Sequence, residues 1–161
     1  MSRYSKIIKN DIVDGVDICV SLWMQGCHKK CFNCHNPQTW DFNGGYELPI
    51  NIKEELVENL KANGIKRNFS ILGGEPLCPE NLKDVDEIVT YIRMRFPHIQ
   101  IFIWTGYTLE ELQAQNNQHI INILNQINVL IDGPYIDELR DITLNLRGSK
   151  NQRVLYKGKD F

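Results

Sequence analysis

The sequence lacks several features that would place it in common classes of protein. It has no apolar run near the roughly 18 residues that a membrane-spanning helix needs, and its first residues lack the apolar segment of a secretory signal peptide. Its net charge is only −2, with acidic and basic residues interspersed, so the basic signature of a nucleic-acid-binding protein is missing. We therefore expect a cytoplasmic protein with no membrane or nucleic-acid partner.

The sequence also lacks an even, dispersed set of cysteines, which argues against a disulfide framework. Five cysteines are present, and Cys27, Cys31 and Cys34 form a C-x3-C-x2-C pattern with no fourth cysteine nearby. Residues 27–34 are called the cysteine loop below. Cytoplasmic thiols stay reduced, so metal binding is the better interpretation of this loop. An iron–sulfur cluster held by three thiolates has one open iron, and an open coordination position is where a metal site does chemistry.

The order of predicted elements indicates an α/β fold, with one domain over residues 1–161. Strand–helix alternation with short turns implies βαβ units and a parallel sheet. A full eightfold barrel usually needs about 250 residues, so we predict a partial, incomplete β/α barrel with mainly parallel strands, or a curved α/β sheet. The predicted strands cover residues 15–24, 69–72, 99–104, 128–131 and 153–156, and the predicted helices begin near residues 51, 81 and 109.

Helix starts are marked by two capping-box patterns. Asn51 pairs with Glu54, and Thr108 pairs with Glu111; in each pair the first side chain can accept from a free helix amide while the second bonds back. We expect the third helix to be broken around residues 116–117.

A second constellation is Gly73-Gly74-Glu75-Pro76, called the Gly-Gly-Glu-Pro turn below, which directly follows the predicted strand 69–72. The glycines permit close backbone approach, and the glutamate offers an acceptor for a cationic group. Alone, the segment is typical of a plain strand-to-helix turn. Ligands of parallel α/β folds bind at the carboxyl ends of the strands. The cysteine loop is predicted at that same end, so we expect one site.

Zinc is the simplest alternative metal for the cysteines. Tetrahedral zinc accepts three cysteines and one histidine, and His28 or His35 could complete that set. Zinc motifs usually pair two cysteine halves across a longer loop, which is not the arrangement found here. A non-catalytic zinc-binding interaction domain stays open as the alternative.

Together, the cysteine loop and the Gly-Gly-Glu-Pro turn resemble the signature of the radical S-adenosylmethionine superfamily. The resemblance implies that Cys27, Cys31 and Cys34 hold one four-iron four-sulfur cluster whose open iron chelates S-adenosyl-L-methionine. It also implies that one electron from the cluster cleaves the sulfonium, giving methionine and a 5′-deoxyadenosyl radical. The residues that would receive the methionine ammonium are Gly73, Gly74 and Glu75.

One position departs from the superfamily pattern, which usually places an aromatic residue immediately before the third cysteine, beside the adenine. Here that position is Asn33, and Phe32 lies one residue early. The resemblance then assigns adenine contacts to the backbone of Asn33 and Cys34 and to His35, or to residues elsewhere.

Four further stretches resemble the small glycyl-radical activating enzymes of this superfamily, at residues 34–40, 103–112, 130–136 and 146–153. The last three are most similar to the activating enzymes of anaerobic ribonucleoside-triphosphate reductase, and the resemblance spans nearly the whole chain. It implies an oxidoreductase that abstracts a hydrogen from a glycine of the reductase large subunit, with a small electron donor such as a flavodoxin. The alternative within the superfamily is an activase of another glycyl-radical enzyme, of the formate-lyase type.

The remaining chemistry-bearing residues have plainer interpretations. Cys19 and Cys78 are expected to be small buried hydrophobes. Asp132, at a strand end, fits a ribose contact and an Asp-Gly turn equally well. The polar segment 147–153 is expected to contact a ligand or a partner, because it lies in one of the stretches that carry the resemblance.

Overall fold

The computed structural model describes residues 2–161, which form an open sheet of seven strands with helices packed against one of its faces. The strands are β1 Arg3–Asp11, β2 Cys19–Met24, β3 Tyr46–Glu47, β4 Asn68–Gly73, β5 Ile101–Trp104, β6 Val129–Asp132 and β7 Arg153–Tyr156. The helices are α1 Ile52–Lys61, α2 Pro79–Arg95, α3 Leu109–Ala114 and α4 Gln118–Gln126. None of the helices in this part of the chain is long and apolar enough to cross a membrane.

The strand order across the sheet is β3-β1-β2-β4-β5-β6-β7. The four central strands, β2, β4, β5 and β6, are mutually parallel, whereas β1, β3 and β7 add antiparallel edges. The predicted α/β class with parallel central strands is therefore confirmed, and the sheet is not closed. Since the carboxyl ends of parallel strands lie along one edge, the segments after β2, β4, β5 and β6 are brought together there.

Three elements differ from the sequence-based expectation. β1 is not predicted because its sequence, RYSKIIKND, is mostly polar and its residues are only partly buried. The first predicted strand starts too early: β2 begins at Cys19, and Gly15 and Asp17 have positive φ angles of 142° and 60° that no extended strand contains. β3, only two residues long, lies in a segment that the sequence indicates as irregular.

The two predicted capping boxes have different outcomes. Thr108 forms the complete box with Glu111 at the start of α3. Asn51 does precede α1, but its side chain makes no capping hydrogen bond, so that box is wrong. The predicted break near residue 116 is confirmed, because α3 ends at Ala114 and α4 begins at Gln118.

The sheet separates a large core from a second, differently built face. On one face, alternate residues of the central strands pack with all four helices in a single apolar cluster. The cluster on the other face is small and contains no helical residue. Trp23, Leu72 and Trp104 project from the strands on this second face and line a cavity. This second face, whose apolar cluster contains no α-helical residue among residues 2–161, therefore has room for a ligand above the carboxyl ends of the parallel strands.

Candidate active site

The cysteine loop begins directly after β2 and is closed by backbone hydrogen bonds. The N–H of Gly26 donates to the Thr39 carbonyl at 2.7 Å, and the N–H of Cys27 donates to the Trp40 carbonyl at 3.1 Å. Gly26 has a φ of +98°, in the left-handed region that favours glycine. These bonds join residues 26 and 27 to residues 39 and 40, so the cysteine loop lies within a segment whose two ends are held together.

The Gly-Gly-Glu-Pro turn packs directly against the start of this loop. The N–H of Gly74 donates to the Met24 carbonyl at 2.9 Å, and the N–H of Glu75 donates to the Gly26 carbonyl at 2.8 Å. A Cβ atom at Gly74 would lie 2.5 Å from the Gly26 carbonyl oxygen and 2.9 Å from that of Thr39. Glycine is therefore required here by the backbone of the cysteine segment, and the structure brings the two predicted constellations together.

Glu75 is a buried carboxylate, only 2% exposed, at the bottom of this site. Its Oε1 accepts hydrogen bonds from the Thr105 hydroxyl at 2.7 Å and the Leu77 N–H at 3.0 Å, and its Oε2 accepts from the Gly106 N–H at 2.6 Å. Burial raises the pKa of Glu75, and the three donors together with the nearby Lys29 ammonium oppose that rise. The carboxylate is thus held in place by donors from the ends of two strands.

One cavity of about 490 Å³ contains most of the residues predicted from the sequence. The predicted residues that line it are Cys27, Cys31, Cys34, His35, Gly73, Gly74 and Glu75. Asn33 does not line it; its side chain instead donates to Asp137 at 3.1 Å. Burial raises the pKa of the Cys27 thiol, while all three cysteines remain partly exposed. The cavity therefore joins thiols, a buried carboxylate and a histidine in one space.

Several residues of this cavity are not predicted from the sequence. Thr105 and Gly106 follow β5 and hold Glu75, and the only sequence signal for them is their position after a buried strand at the same sheet edge. Lys29 places its ammonium 4.5 Å from the centre of the Tyr107 ring. Arg147, by contrast, belongs to the segment 147–153 that is expected to contact a ligand or a partner. It lines the cavity, and its buried Nε has no hydrogen-bond partner within residues 2–161.

Asp132 and the polar segment 147–153 have mainly structural contacts. Asp132 is fully buried; it accepts from the Leu109 N–H at 2.8 Å and from Arg153 Nε at 3.0 Å, so neither the ribose contact nor the simple turn describes it. Within the segment, Gln152 accepts hydrogen bonds from the backbone of Gly148 and Ser149. Cys19 and Cys78 are buried, as predicted.

The donor set fits an iron–sulfur cluster. Three thiols from one short loop line one cavity, and thiolates are the ligand type that iron–sulfur clusters require. Among residues 2–161, no three His, Cys, Asp or Glu side chains are gathered closely enough to hold one metal ion.

The chain is similar to known iron–sulfur proteins. A family model described as 4Fe-4S single cluster domain matches residues 13–155, so the chain is an iron–sulfur cluster protein of this class. An Escherichia coli (strain K12) relative is 37% identical over 153 residues, covering 94% of this chain and 97% of the relative. A Vibrio cholerae relative is 35% identical over 94% of this chain and 96% of its own, and one from Enterobacteria phage T4 is 34% identical over 94% and 92%.

All three relatives are named anaerobic ribonucleoside-triphosphate reductase-activating protein. Identity above one-third over nearly the full length of both chains is shared with each of them. The chain belongs to the family of anaerobic ribonucleoside-triphosphate reductase-activating proteins.

Proposed function

We propose that this chain is an oxidoreductase that reductively cleaves S-adenosyl-L-methionine and generates the glycyl radical of anaerobic ribonucleoside-triphosphate reductase. The observation that carries the proposal is that one cavity is lined both by the three partly exposed cysteines and by the buried Glu75. The names of the relatives support anaerobic ribonucleoside-triphosphate reductase as the protein substrate, and we propose that the target glycine lies in its large subunit. We further propose one domain over residues 1–161 with a partial-barrel curvature, acting in the cytoplasm, where thiols stay reduced.

The cysteines and the Gly-Gly-Glu-Pro turn have separate roles in this proposal. Cys27, Cys31 and Cys34 would hold the four-iron four-sulfur cluster, consistent with the family model. The N–H groups of Gly74 and Glu75 already donate to backbone carbonyls, so they are not available to a ligand. The turn can instead accept hydrogen bonds from a cationic group. The Glu75 carboxylate, fixed by Thr105 and Gly106, would therefore receive the ammonium of S-adenosyl-L-methionine.

When bound, the cluster supplies the electron that cleaves the cofactor, and a small protein such as a flavodoxin would reduce it. The chain's own task is to bind, orient and exclude water, because reactive fragments must be kept from solvent. The side chains of Trp23, Leu72, Trp104 and Leu146 give the cavity an apolar wall suited to that task.

The rim of the cavity supports a macromolecular substrate. Val13 and Ile142 both line the cavity, yet they are 75% and 84% exposed. They lie on different segments, one between β1 and β2 and the other between β6 and β7. Apolar side chains left open beside a reactive cavity are typical of a surface that another protein covers. In this proposal the reductase covers them and completes the exclusion of water.

Anaerobic reconstitution with iron and sulfide, followed by assay of reductive S-adenosyl-L-methionine cleavage, tests the proposal. Alanine at Cys27, Cys31 or Cys34 should abolish cleavage, whereas the matched control Cys19→Ala, a buried cysteine outside the cavity, should largely preserve it. Failure of the wild-type protein to take up iron and sulfide, or stoichiometric zinc binding instead, would favour the zinc-binding interaction domain. Equal activation of a formate-lyase-type protein would point to the other class of activase.

A further inference from the structure

The superfamily usually has an aromatic residue immediately before the third cysteine, but this chain has Asn33 there. Other aromatic rings line the cavity. Phe32, the aromatic residue within the cysteine loop, is 78% exposed and does not line the cavity. On the side of the cavity near Cys34, the lining rings belong instead to His35 and Tyr135. Tyr135 follows β6 at the carboxyl edge of the parallel strands, far from the cysteine loop in sequence.

His35 and Tyr135 form a defined pair of rings. Their centroids are 4.9 Å apart, and their planes are inclined by 48°. The backbone of Gly148 lies against both rings: a Cβ there would be 3.2 Å from two atoms of the Tyr135 ring and 3.4 Å from His35 Cε1. The two rings and this glycine therefore lie side by side along the cavity, and a side chain at position 148 would fit only if a ring shifted by a few tenths of an ångström.

Asn33 is connected to this pair through a shared carboxylate. Its side-chain amide donates to Asp137 Oδ2 at 3.1 Å, and the Tyr135 hydroxyl donates to Asp137 Oδ1 at 2.8 Å. Asn33 has a φ of +55°, a left-handed conformation that asparagine adopts more readily than aromatic residues do. Asn33, at the position where the superfamily usually has an aromatic residue, therefore shares the Asp137 carboxylate with the ring hydroxyl of Tyr135.

The segment 147–153 supports Tyr135 from behind. Asn151 donates to the Pro134 carbonyl at 2.7 Å, and Gln152 donates to the Gly133 carbonyl at 3.1 Å. These bonds fix the two residues that immediately precede Tyr135. The polar segment 147–153, which the sequence marks as a ligand or partner contact, therefore also sets the path of the chain into Tyr135.

We propose that Tyr135, paired with His35, forms the surface on which the adenine of S-adenosyl-L-methionine packs, and that Asn33 positions Tyr135 through Asp137. This inference rests on the proposed function, because it presupposes that the cavity binds S-adenosyl-L-methionine. Flat aromatic faces suit a nucleobase, and loss of one stacking ring typically weakens binding by about 10- to 100-fold.

Two ligands separate an adenine contact from a general loss of the site. S-adenosyl-L-methionine carries the adenine, whereas S-methyl-L-methionine keeps the sulfonium, ammonium and carboxylate without it. Both are measured against the reconstituted, cluster-loaded protein by equilibrium dialysis. Tyr135→Leu should weaken S-adenosyl-L-methionine binding at least 10-fold and change S-methyl-L-methionine binding less than 2-fold.

Three further variants test the geometry. Tyr135→Phe keeps the ring and should stay within about 3-fold of wild type for S-adenosyl-L-methionine. Asn33→Ala should weaken S-adenosyl-L-methionine binding more than S-methyl-L-methionine binding, as Tyr135→Leu does, but by a smaller factor. A merely structural role of Asn33 would weaken the binding of both ligands equally. Phe32→Leu removes the competing aromatic of the loop and should change neither affinity.

The outcomes are distinguishable. If wild type binds S-adenosyl-L-methionine and Tyr135→Leu, with full iron and sulfide content, binds it equally well, the adenine assignment is wrong while the proposed function stands. A loss at Phe32→Leu in place of Tyr135→Leu, or an equal loss of both ligands at Tyr135→Leu, also overturns it. If cluster-loaded wild type binds no S-adenosyl-L-methionine, the proposed function fails, and this inference fails with it.

Discussion

The backbone N–H of Glu75 donates a 2.8 Å hydrogen bond to the carbonyl oxygen of Gly26, the residue immediately before Cys27. This bond joins the end of β4 to the start of the cysteine loop. The Glu75 side chain extends from the same residue to Thr105 and Gly106 after β5. The backbone of Glu75 therefore holds the start of the cysteine loop, and its side chain is the candidate acceptor for the cofactor. The positions of the candidate cluster ligands and of this acceptor are coupled through one residue.

Glu75→Gln tests the importance of this carboxylate. Both carboxylate oxygens accept backbone N–H groups, from Leu77 and Gly106. In either orientation, the glutamine amide nitrogen must face one of these donors. A buried donor without an acceptor costs about 1–3 kcal/mol, so urea denaturation should show a loss of that size. S-adenosyl-L-methionine affinity should fall about 10-fold or more, because the buried negative charge is removed.

Glu58→Gln is the matched control, since Glu58 is an exposed residue of α1 that pairs with Lys61 on the surface. It should change the free energy of unfolding by less than about 0.5 kcal/mol. Unchanged stability and unchanged ligand affinity in Glu75→Gln would contradict the assignment of Glu75 as the acceptor.

The pH dependence of stability should reveal the acidic pair Asp11 and Asp14 at the end of β1. Burial, followed by the hydrogen bond and charge of Asp11, raises the pKa of Asp14 from 3.8 to about 7. The folded protein therefore binds this proton more tightly than the unfolded chain. The resulting stability is full below about pH 4 and is lost as the pH rises through about 7.

Asp14→Asn removes that titration. Denaturation at pH 5 and pH 8 should show that the stability of wild type relative to Asp14→Asn falls between the two values. Asp17→Asn, an exposed change in the same loop, should leave the pH slope of wild type intact. Parallel slopes for wild type and Asp14→Asn would show that Asp14 titrates normally.

The two capping patterns give a direct comparison between sequence and geometry. Thr108 accepts from the Glu111 N–H at 3.2 Å, and Glu111 bonds back to the Thr108 N–H at 2.9 Å. Thr108→Ala should therefore lower the free energy of unfolding by about 1 kcal/mol. Asn51→Ala should cost less than about 0.5 kcal/mol, because the Asn51 side chain caps nothing. Equal losses in thermal denaturation would show that the two caps do not differ.

The parts of the site that are predictable from the sequence are those encoded in short contiguous motifs. The cysteine loop and the Gly-Gly-Glu-Pro turn each follow an apolar strand, and parallel strands bring such segments to one edge. Thr105 and Tyr135 contribute through tertiary proximity alone; Thr105 is 30 positions from Glu75 in the chain, and no local pattern marks that separation.

The fold shows the same division. Strands with continuous apolar sequences, such as β4 and β5, are predicted well because they are buried on both faces. β1 has polar or charged residues at most positions and is paired near the sheet edge, so its hydrophobic pattern is weak. The ring pair of His35 and Tyr135 likewise depends on Gly148 and Asp137, which belong to separate segments.

The most direct test of the central claim is electron paramagnetic resonance of the anaerobic ribonucleoside-triphosphate reductase from the same organism. The reductase is incubated anaerobically with the reconstituted chain, S-adenosyl-L-methionine and a reductant. We predict the doublet of a glycyl radical on the reductase when the wild-type chain is used, and no doublet when the Cys31→Ala chain is used. Cluster-loaded wild type that cleaves S-adenosyl-L-methionine but leaves the reductase without a doublet would contradict it.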